Sequence, residues 1–365
     1  GVHRRQRQMC IRDSLFSCVY MLLSYIKKQG ILNMPKQEFP FPMPNGWFCI
    51  TRCGEIKKGE VKGIKFCEKQ VAVFRTESGK ISVLDAYCAF NGIDLSKNGS
   101  VEGETLKCPK SGIAWNIDGT FASCENKDIN NDEVKKLKIF CYPTQELNGF
   151  IWSWHHLLKE DPYFDIPTLE GFNGDDDKWG KEFHYEYNIN TVLQEIAEND
   201  VDAAHFPKVH GSPSLPETDA IVDGVYKKTI AETLMDPNND SVSEEYKNEA
   251  NEMFTTTFTR ESWGLGCVAL KMINLPPAGG EFIMVNASCP VDNKHSILRW
   301  TMRVSKDIED EIGMAIIDGI ANGVLDDMPI WDNKSYVDQP VLCDGDGPIN
   351  KFRKWVRQFY SELPA

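Results

Sequence analysis

Residues 195–211 read EIAENDVDAAHFPKVHG, and within them lies the spacing Asn199-x2-Asp202-x2-His205-x4-His210. Two imidazoles and one carboxylate suit a mononuclear ferrous ion and leave positions open for further ligands. Asp202 and His205 are three apart and would share a helical face. His205 and His210 are five apart, so a regular helix would turn them about 140° from each other. Pro207 stands between them, and a proline there ends or distorts the helix, which lets the two rings converge. Two histidines at such spacing are, taken alone, more often surface or satisfied core residues than metal ligands.

Working outward from this stretch, residues 191–205 read as a helix. Residues 254–260, 267–273, 281–287 and 296–304 read as antiparallel strands. Residues 308–327 carry apolar side chains at Ile308, Ile312, Ile316 and Ile320, a helical stripe. A further helix is expected over 348–360, opened by a proline. The polar, acidic residues 236–252 read as a mobile surface insertion. Upstream, residues 45–154 are short β-rich runs such as QVAVF (70–74), KISVL (80–84) and LNGFIW (147–152), punctuated by glycine turns. Residues 171–178, GFNGDDDK, read as a linker or exposed loop.

The string ENxxDxAHFxxxH resembles the signature of the catalytic domain of Rieske non-heme iron oxygenases. The segment Asp327-Met328-Pro329-Ile330-Trp331 resembles the family's segment for the third iron ligand, with Asp326 as the competing carboxylate. The C-terminal stretch WDNKSYVDQPVLCDGDGPINKFRKWVRQFY is similar to the sterol 7-desaturase (Neverland) branch. The resemblance spans residues 45–360. It implies an α+β chain: an all-β Rieske-like domain over 45–155, then a helix-grip domain over 180–361, an antiparallel sheet with helices. It implies that His205, His210 and Asp327 hold mononuclear Fe(II), and that Asn199 supports the site from behind. It also implies that Asp202 links the iron to the cluster of a neighbouring subunit in a head-to-tail trimer.

The pattern breaks in the first domain. A Rieske cluster needs two cysteines on one iron and two histidines on the other. The family supplies them as C-x-H and C-x-x-H. Here the corresponding segments read Cys88-Ala89-Phe90 and Cys108-Pro109-Lys110-Ser111. Phenyl has no donor atom, and a serine hydroxyl is a poor ligand for this iron. Turning a histidine codon into phenylalanine or serine takes at least two base changes, so paired sequencing errors do not explain both positions. The family's tryptophan after the second motif is Ile113 here, with Trp115 two residues on. The expectation is a degenerate domain without a [2Fe–2S] cluster, in which Cys88, Phe90, Cys108 and Ser111 are vestigial.

Two functions follow from the resemblance. One is an O2-dependent sterol 7-desaturase that is not self-sufficient and takes electrons from an intact paralogue in the same assembly. The other is an inactive homologue that binds a sterol or other apolar small molecule, or serves as a structural subunit. Single-turnover or non-redox chemistry ranks below both. His155 and His156 read as structural rather than as replacement ligands. Trp331 and Trp355 read as core more readily than as pocket walls.

Composition sets the remaining bounds. The 365 residues, 41% hydrophobic and 26% charged, describe a folded chain of two or three domains. Fifty-four acidic against 40 basic residues give a net charge of -14, which repels phosphate backbones and excludes nucleic acid as a partner. Twelve cysteines without a CxxC pair read as reduced thiols in an intracellular compartment. Residues 1–14, GVHRRQRQMCIRDS, read as translated sequencing-adapter sequence and not as part of the fold. Residues 15–28 follow with an uncharged run, LFSCVYMLLSYI, closed by Lys27 and Lys28. They read either as the surviving end of a truncated membrane anchor, which would associate the protein with a membrane, or as a short apolar docking helix.

Overall fold

Alternating β-branched and aromatic runs in the first half of the chain form eleven short strands. They are β1 (Gly46–Arg52), β2 (Val61–Phe66), β3 (Lys69–Arg75), β4 (Ile81–Asp85), β5 (Ser100–Glu102) and β6 (Thr105–Lys107), followed by β7 (Ile113–Asn116), β8 (Phe121–Cys124), β9 (Cys141–Tyr142), β10 (Thr144–Leu147) and β11 (Phe150–His155). They pair as three small sheets, ordered β1-β11-β10, β2-β3-β4-β9 and β5-β6-β7-β8. The computed structural model describes residues 38–174, 177–247, 252–277, 279–343 and 345–362. The adapter and anchor readings of residues 1–28 therefore lie outside the described residues. No helix among the described residues is long and apolar enough to cross a membrane.

The chain divides into two units. The smaller one, in its described part, holds Glu38, Phe39 and Ser335–Pro340, with the Phe39 ring edge-on to Tyr336 at 5.2 Å. Everything below belongs to the larger unit, Pro40–Lys334 with Val341–Ala365.

Cys88 sits in the loop between β4 and β5, and Cys108 in the loop between β6 and β7. Both loops close on the same pattern. Cys88 N–H donates to the Ile93 carbonyl at 2.9 Å and Gly92 N–H to the Cys88 carbonyl at 2.8 Å; Cys108 and Gly112 repeat this at 2.8 and 2.9 Å. A separate apolar cluster of Phe74, Leu84, Leu95, Leu106, Ile113 and Trp115 lies beneath the loops and includes both cysteines. Full burial of each large side chain contributes roughly 1.5–3 kcal/mol, so the loops rest on packing.

The second half is a seven-stranded antiparallel sheet, so the chain is α+β, an all-β half followed by a helix-grip half. The strands are β12 (Phe183–Ile189), β13 (Glu217–Asp223), β14 (Tyr226–Met235), β15 (Phe254–Trp263), β16 (Cys267–Leu275), β17 (Gly280–Asp292) and β18 (His295–Val304), in the order β12-β18-β17-β16-β15-β14-β13. A π-helical turn, Glu309–Gly313, leads into the long helix Met314–Asn333, which packs on β12 and β18. Tyr187 Oη donates to the Ala321 carbonyl at 2.8 Å and ties sheet to helix.

Several expectations need correction. The helix expected over 191–205 is two short helices, Leu193–Glu198 and His205–Val209, because a turn interrupts it. Val201 and Asp202 N–H both donate to the Glu198 carbonyl. The long helix runs past residue 327 through Pro329 to Asn333; Trp331, 4% exposed, keeps its last turns docked. Residues 236–247 are not a free surface insertion. Val242 is buried, Ser243 N–H donates to Asp318 at 2.6 Å, and Asn322 donates to the Ser241 carbonyl at 2.9 Å. Glycine at 319 makes the room, since a Cβ there would stand 3.1 Å from Val242. Residues 171–174 are anchored too, with the Gly171 carbonyl accepting from buried Arg303 at 2.6 Å.

Candidate metal centre and its cavity

The position of His205 follows from where its helix begins. Asp202 precedes the helix instead of sharing a face of it, and its carbonyl lies 2.5 Å from His205 Nδ1. That nitrogen therefore carries the proton and donates, leaving Nε2 free as a ligand atom. Pro207 occupies the first turn of His205–Val209, where a helix needs no backbone donor, so it starts the helix rather than breaking it. The tight five-residue helix brings the His205 and His210 rings to 5.1 Å between centroids.

The long helix supplies the carboxylate. Asp327 is 8% exposed, and its Oδ2 lies 3.5 Å from His210 Nε2. Asp326, the competing choice, has a 44% exposed side chain, accepts from Ser241 Oγ at 2.9 Å and stands 4.0 Å from His210 Nδ1, on the outer side of the ring. Ligand atoms of His205, His210 and Asp327 all fall within 4.8 Å of one another, the only such group of three among the described residues. Burial holds the His205 imidazole below its ordinary pKa, against the pull of Asp327 and the Asp202 carbonyl. A neutral imidazole is the form that binds a metal.

The supports come from distant parts of the chain. Glu198 closes helix Leu193–Glu198 and forms a two-point pair with Arg353 at 2.6 and 2.8 Å. Lys334 meets Glu195 at 2.6 Å. Gly347, at φ +78°, lies against the Val201 carbonyl, where a Cβ would collide with it.

The three candidate ligands open onto one cavity of about 230 Å3. Its walls are mostly apolar, among them Phe258, Leu270, Met284, Trp300, Ile316 and Trp331. Asn199 also lines it. Of the two tryptophans weighed above, Trp331 serves both core and wall, while Trp355 stays in the core and donates to the Gly224 carbonyl at 2.9 Å. The pinned segment contributes Asn239, Ser241 and Val242. Sequence reasoning missed this contribution, and it missed the charged group of buried Lys227 with half-buried Asp200 and Arg260. Asp200 and Arg260 line the cavity; Lys227 Nζ lies 3.3 Å from Asp200. Only Asp200 stands near the signature; the other two are strand residues without a local pattern.

At the second location the cradle differs. Burial raises the Cys88 thiol. Burial also acts against Cys108, but the Ser111 hydroxyl, the Ser111 and Lys110 N–H groups and the Asn91 side chain outweigh it and hold that thiol below its ordinary value. Ser111 is buried, whereas Phe90 is 40% exposed. No imidazole joins the two sulfurs among the described residues. His155 Nδ1 contacts the Pro44 carbonyl at 3.0 Å, and burial depresses its pKa to about 4. His156 lies over Trp154 and pairs with Glu160 at 3.5 Å. A [2Fe–2S] cluster of Rieske type does not fit two sulfurs, a hydroxyl and a phenyl ring.

Comparison with known proteins follows the same division. The family described as 3-ketosteroid 9alpha-hydroxylase C-terminal domain matches residues 153–360, more than half of the chain, and the Rieske [2Fe-2S] domain matches residues 46–141. The chain is 26% identical over 364 residues to cholesterol 7-desaturase nvd 1 of Ciona intestinalis, covering 93% of this chain and 74% of that protein. It is 28% identical over 340 residues to cholesterol 7-desaturase nvd of Xenopus laevis, covering 89% and 74%. To a 3-ketosteroid-9-alpha-monooxygenase oxygenase component of Rhodococcus rhodochrous it is 26% identical over 352 residues, covering 94% and 86%. Among solved structures, NdmA of Pseudomonas putida CBB5 with caffeine superposes with a TM-score of 0.65 at 18% identity, over 85% of this chain and 89% of that one. Apo dicamba monooxygenase gives 0.65 at 14%, over 87% and 97%. At those identities the structural likeness is one of fold.

Proposed function

The chain belongs to the 3-ketosteroid 9alpha-hydroxylase C-terminal-domain family, carried behind a Rieske domain as in Rieske oxygenases, and from that membership we propose that it is a sterol-directed oxygenase subunit of the 7-desaturase type that is not self-sufficient. The observation that carries the reading is the convergence of His205, His210 and Asp327 on one apolar cavity. The donor set fits a mononuclear ferrous ion, which when bound there supplies activation of dioxygen. His205 offers Nε2 because Asp202 holds its other nitrogen; Asp327 supplies charge from a buried position; Asn199 forms part of the wall nearby. An apolar ring system would lie against the cavity's mostly apolar walls.

Such chemistry consumes electrons that this chain does not store, since its first domain lacks the donors for a cluster. We place their source in an intact family member of the same assembly, with Asp202 at the junction. The test combines the anaerobically purified, iron-loaded chain with an intact member, a reductase and a sterol, then follows loss of two hydrogens by mass spectrometry. The mixture should turn over faster than the intact member alone, and His205→Ala in this chain should remove the increment. An increment that survives His205→Ala would contradict a catalytic role for this chain and leave binding or scaffolding.

A further inference from the structure

On the cavity face of β15, Phe258 and Arg260 stand two residues apart, as a strand's alternation requires. Arg260 is an unusual wall residue. Its side chain is 15% exposed, and its guanidinium lies 5.6 Å from the Phe206 ring centre and 5.4 Å from that of Phe258. Phe206 in turn lies 4.2 Å, centre to centre, from the His205 ring. The guanidinium thus sits one aromatic ring away from a candidate metal ligand.

Its charge is incompletely balanced. Among the described residues, its one polar contact is the ion pair from Nε to Asp200 at 3.7 Å. Asp200 is shared with Lys227, 1% exposed and 3.3 Å away, whose ammonium also lies 5.7 and 6.0 Å from the ring centres of Phe352 and Trp355. One buried and one half-buried cation therefore face one carboxylate. A guanidinium has five N–H donors in a fixed fork, and the fork is suited to two acceptor oxygens of one planar or tetrahedral anion. Among the described residues the fork's terminal nitrogens have no hydrogen-bond acceptor, and Arg260 lines the cavity.

We propose that the cavity's ligand is an acidic steroid or similar apolar body bearing a carboxylate or sulfate, and that Arg260 binds that anion. The inference rests on the sterol reading above and narrows its substrate class. Asp200 and Lys227 act as positioning residues: Asp200 orients the guanidinium through Nε, and Lys227 keeps Asp200 from cancelling the charge of Arg260. The anion's place beside Phe206 sets the end of the ligand nearest the candidate metal ligands.

The test is equilibrium binding to the full chain without added reductant, read from quenching of the cavity tryptophans Trp300 and Trp331. The probes are a steroid carboxylate with its methyl ester, and a steroid sulfate with its parent alcohol. Each acid should bind at least tenfold more tightly than its neutral partner, and the series with the larger ratio identifies which anion is preferred. Arg260→Met should bring the ratio near one while the neutral probe keeps its affinity within about twofold. Asp200→Asn, which adds to the net positive charge, should raise the ratio, and this second variant carries the test should Arg260→Met not fold. Equal binding of acid and neutral probe to the wild-type chain would overturn the charge assignment and leave the sterol cavity standing. Binding of neither would overturn both.

Discussion

The loops around Cys88 and Cys108 and the stretch around His205 and His210 meet different fates in one chain. At the first, the backbone keeps two matching hydrogen-bonded loops over an apolar cluster, yet only two of four donor positions carry a ligand atom. At the second, the backbone is irregular, a broken helix with a proline in its first turn, yet all three donors converge within 4.8 Å. The difference teaches that regular local structure does not by itself bring ligand atoms together. Cradle geometry persists where burial maintains it, through Leu84, Leu106 and Trp115. Donor chemistry persists only where individual side chains are kept.

The strongest way to break that contrast is to remove donors from the site that has them. Asp327→Ala or His205→Ala should reduce bound iron from about one per chain to less than a tenth, measured by metal analysis after anaerobic loading. Asp326→Ala should leave iron in place, because that carboxylate points to the outer side of His210 and serves Ser241. Equal losses for both aspartates would mean the wrong carboxylate has been assigned.

The complementary change adds donors to the site that lacks them. The Phe90→His, Ser111→His pair should allow reconstitution of a cluster with about two irons and two sulfides, visible in the absorption and paramagnetic resonance spectra. Either single variant should fail. Ser111 is buried, so its imidazole needs room, and overpacking of this kind costs roughly 1–3 kcal/mol. A double variant that folds and takes up no cluster would show that the loops themselves have changed.

Much of the second site was legible before any coordinates. The family resemblance, and not the spacing alone, pointed to His205, His210 and Asp327 as a group, and the apolar stripe after Ile308 placed Asp327 on a helix. What the spacing could not convey was the turn at 199–204, since it depends on two N–H groups sharing the Glu198 carbonyl. Polarity also misled. Residues 236–247 look like solvent-exposed insertion because their acids and asparagines dominate, and the residues that pin them, Ser241, Val242 and Ser243, meet their partners far along the chain on the helix Met314–Asn333. Lys227 and Arg260 come together through the pairing of β14 with β15, and the turn after Glu198 brings Asp200 to them, which no local pattern announces.

A smaller effect tests the first domain's dependence on packing. His155 is held neutral by burial, with a pKa of about 4 against an ordinary 6.5. Below pH 6.5 the unfolded chain takes up a proton that the folded chain refuses, so stability should fall as pH drops from 6.5 to 4 and stay level with respect to this group above 6.5. The loss should approach about 3 kcal/mol at the acid end. Denaturant titrations of wild type and His155→Gln at a series of pH values measure it; identical slopes would mean that His155 is solvated in the native state.

Iron and acid-labile sulfide per chain, determined together on protein purified without oxygen, test the central contrast most directly. The account predicts about one iron and no sulfide. Iron in excess of one with matching sulfide would contradict it at the first site, and absence of iron after ferrous loading would contradict it at the second.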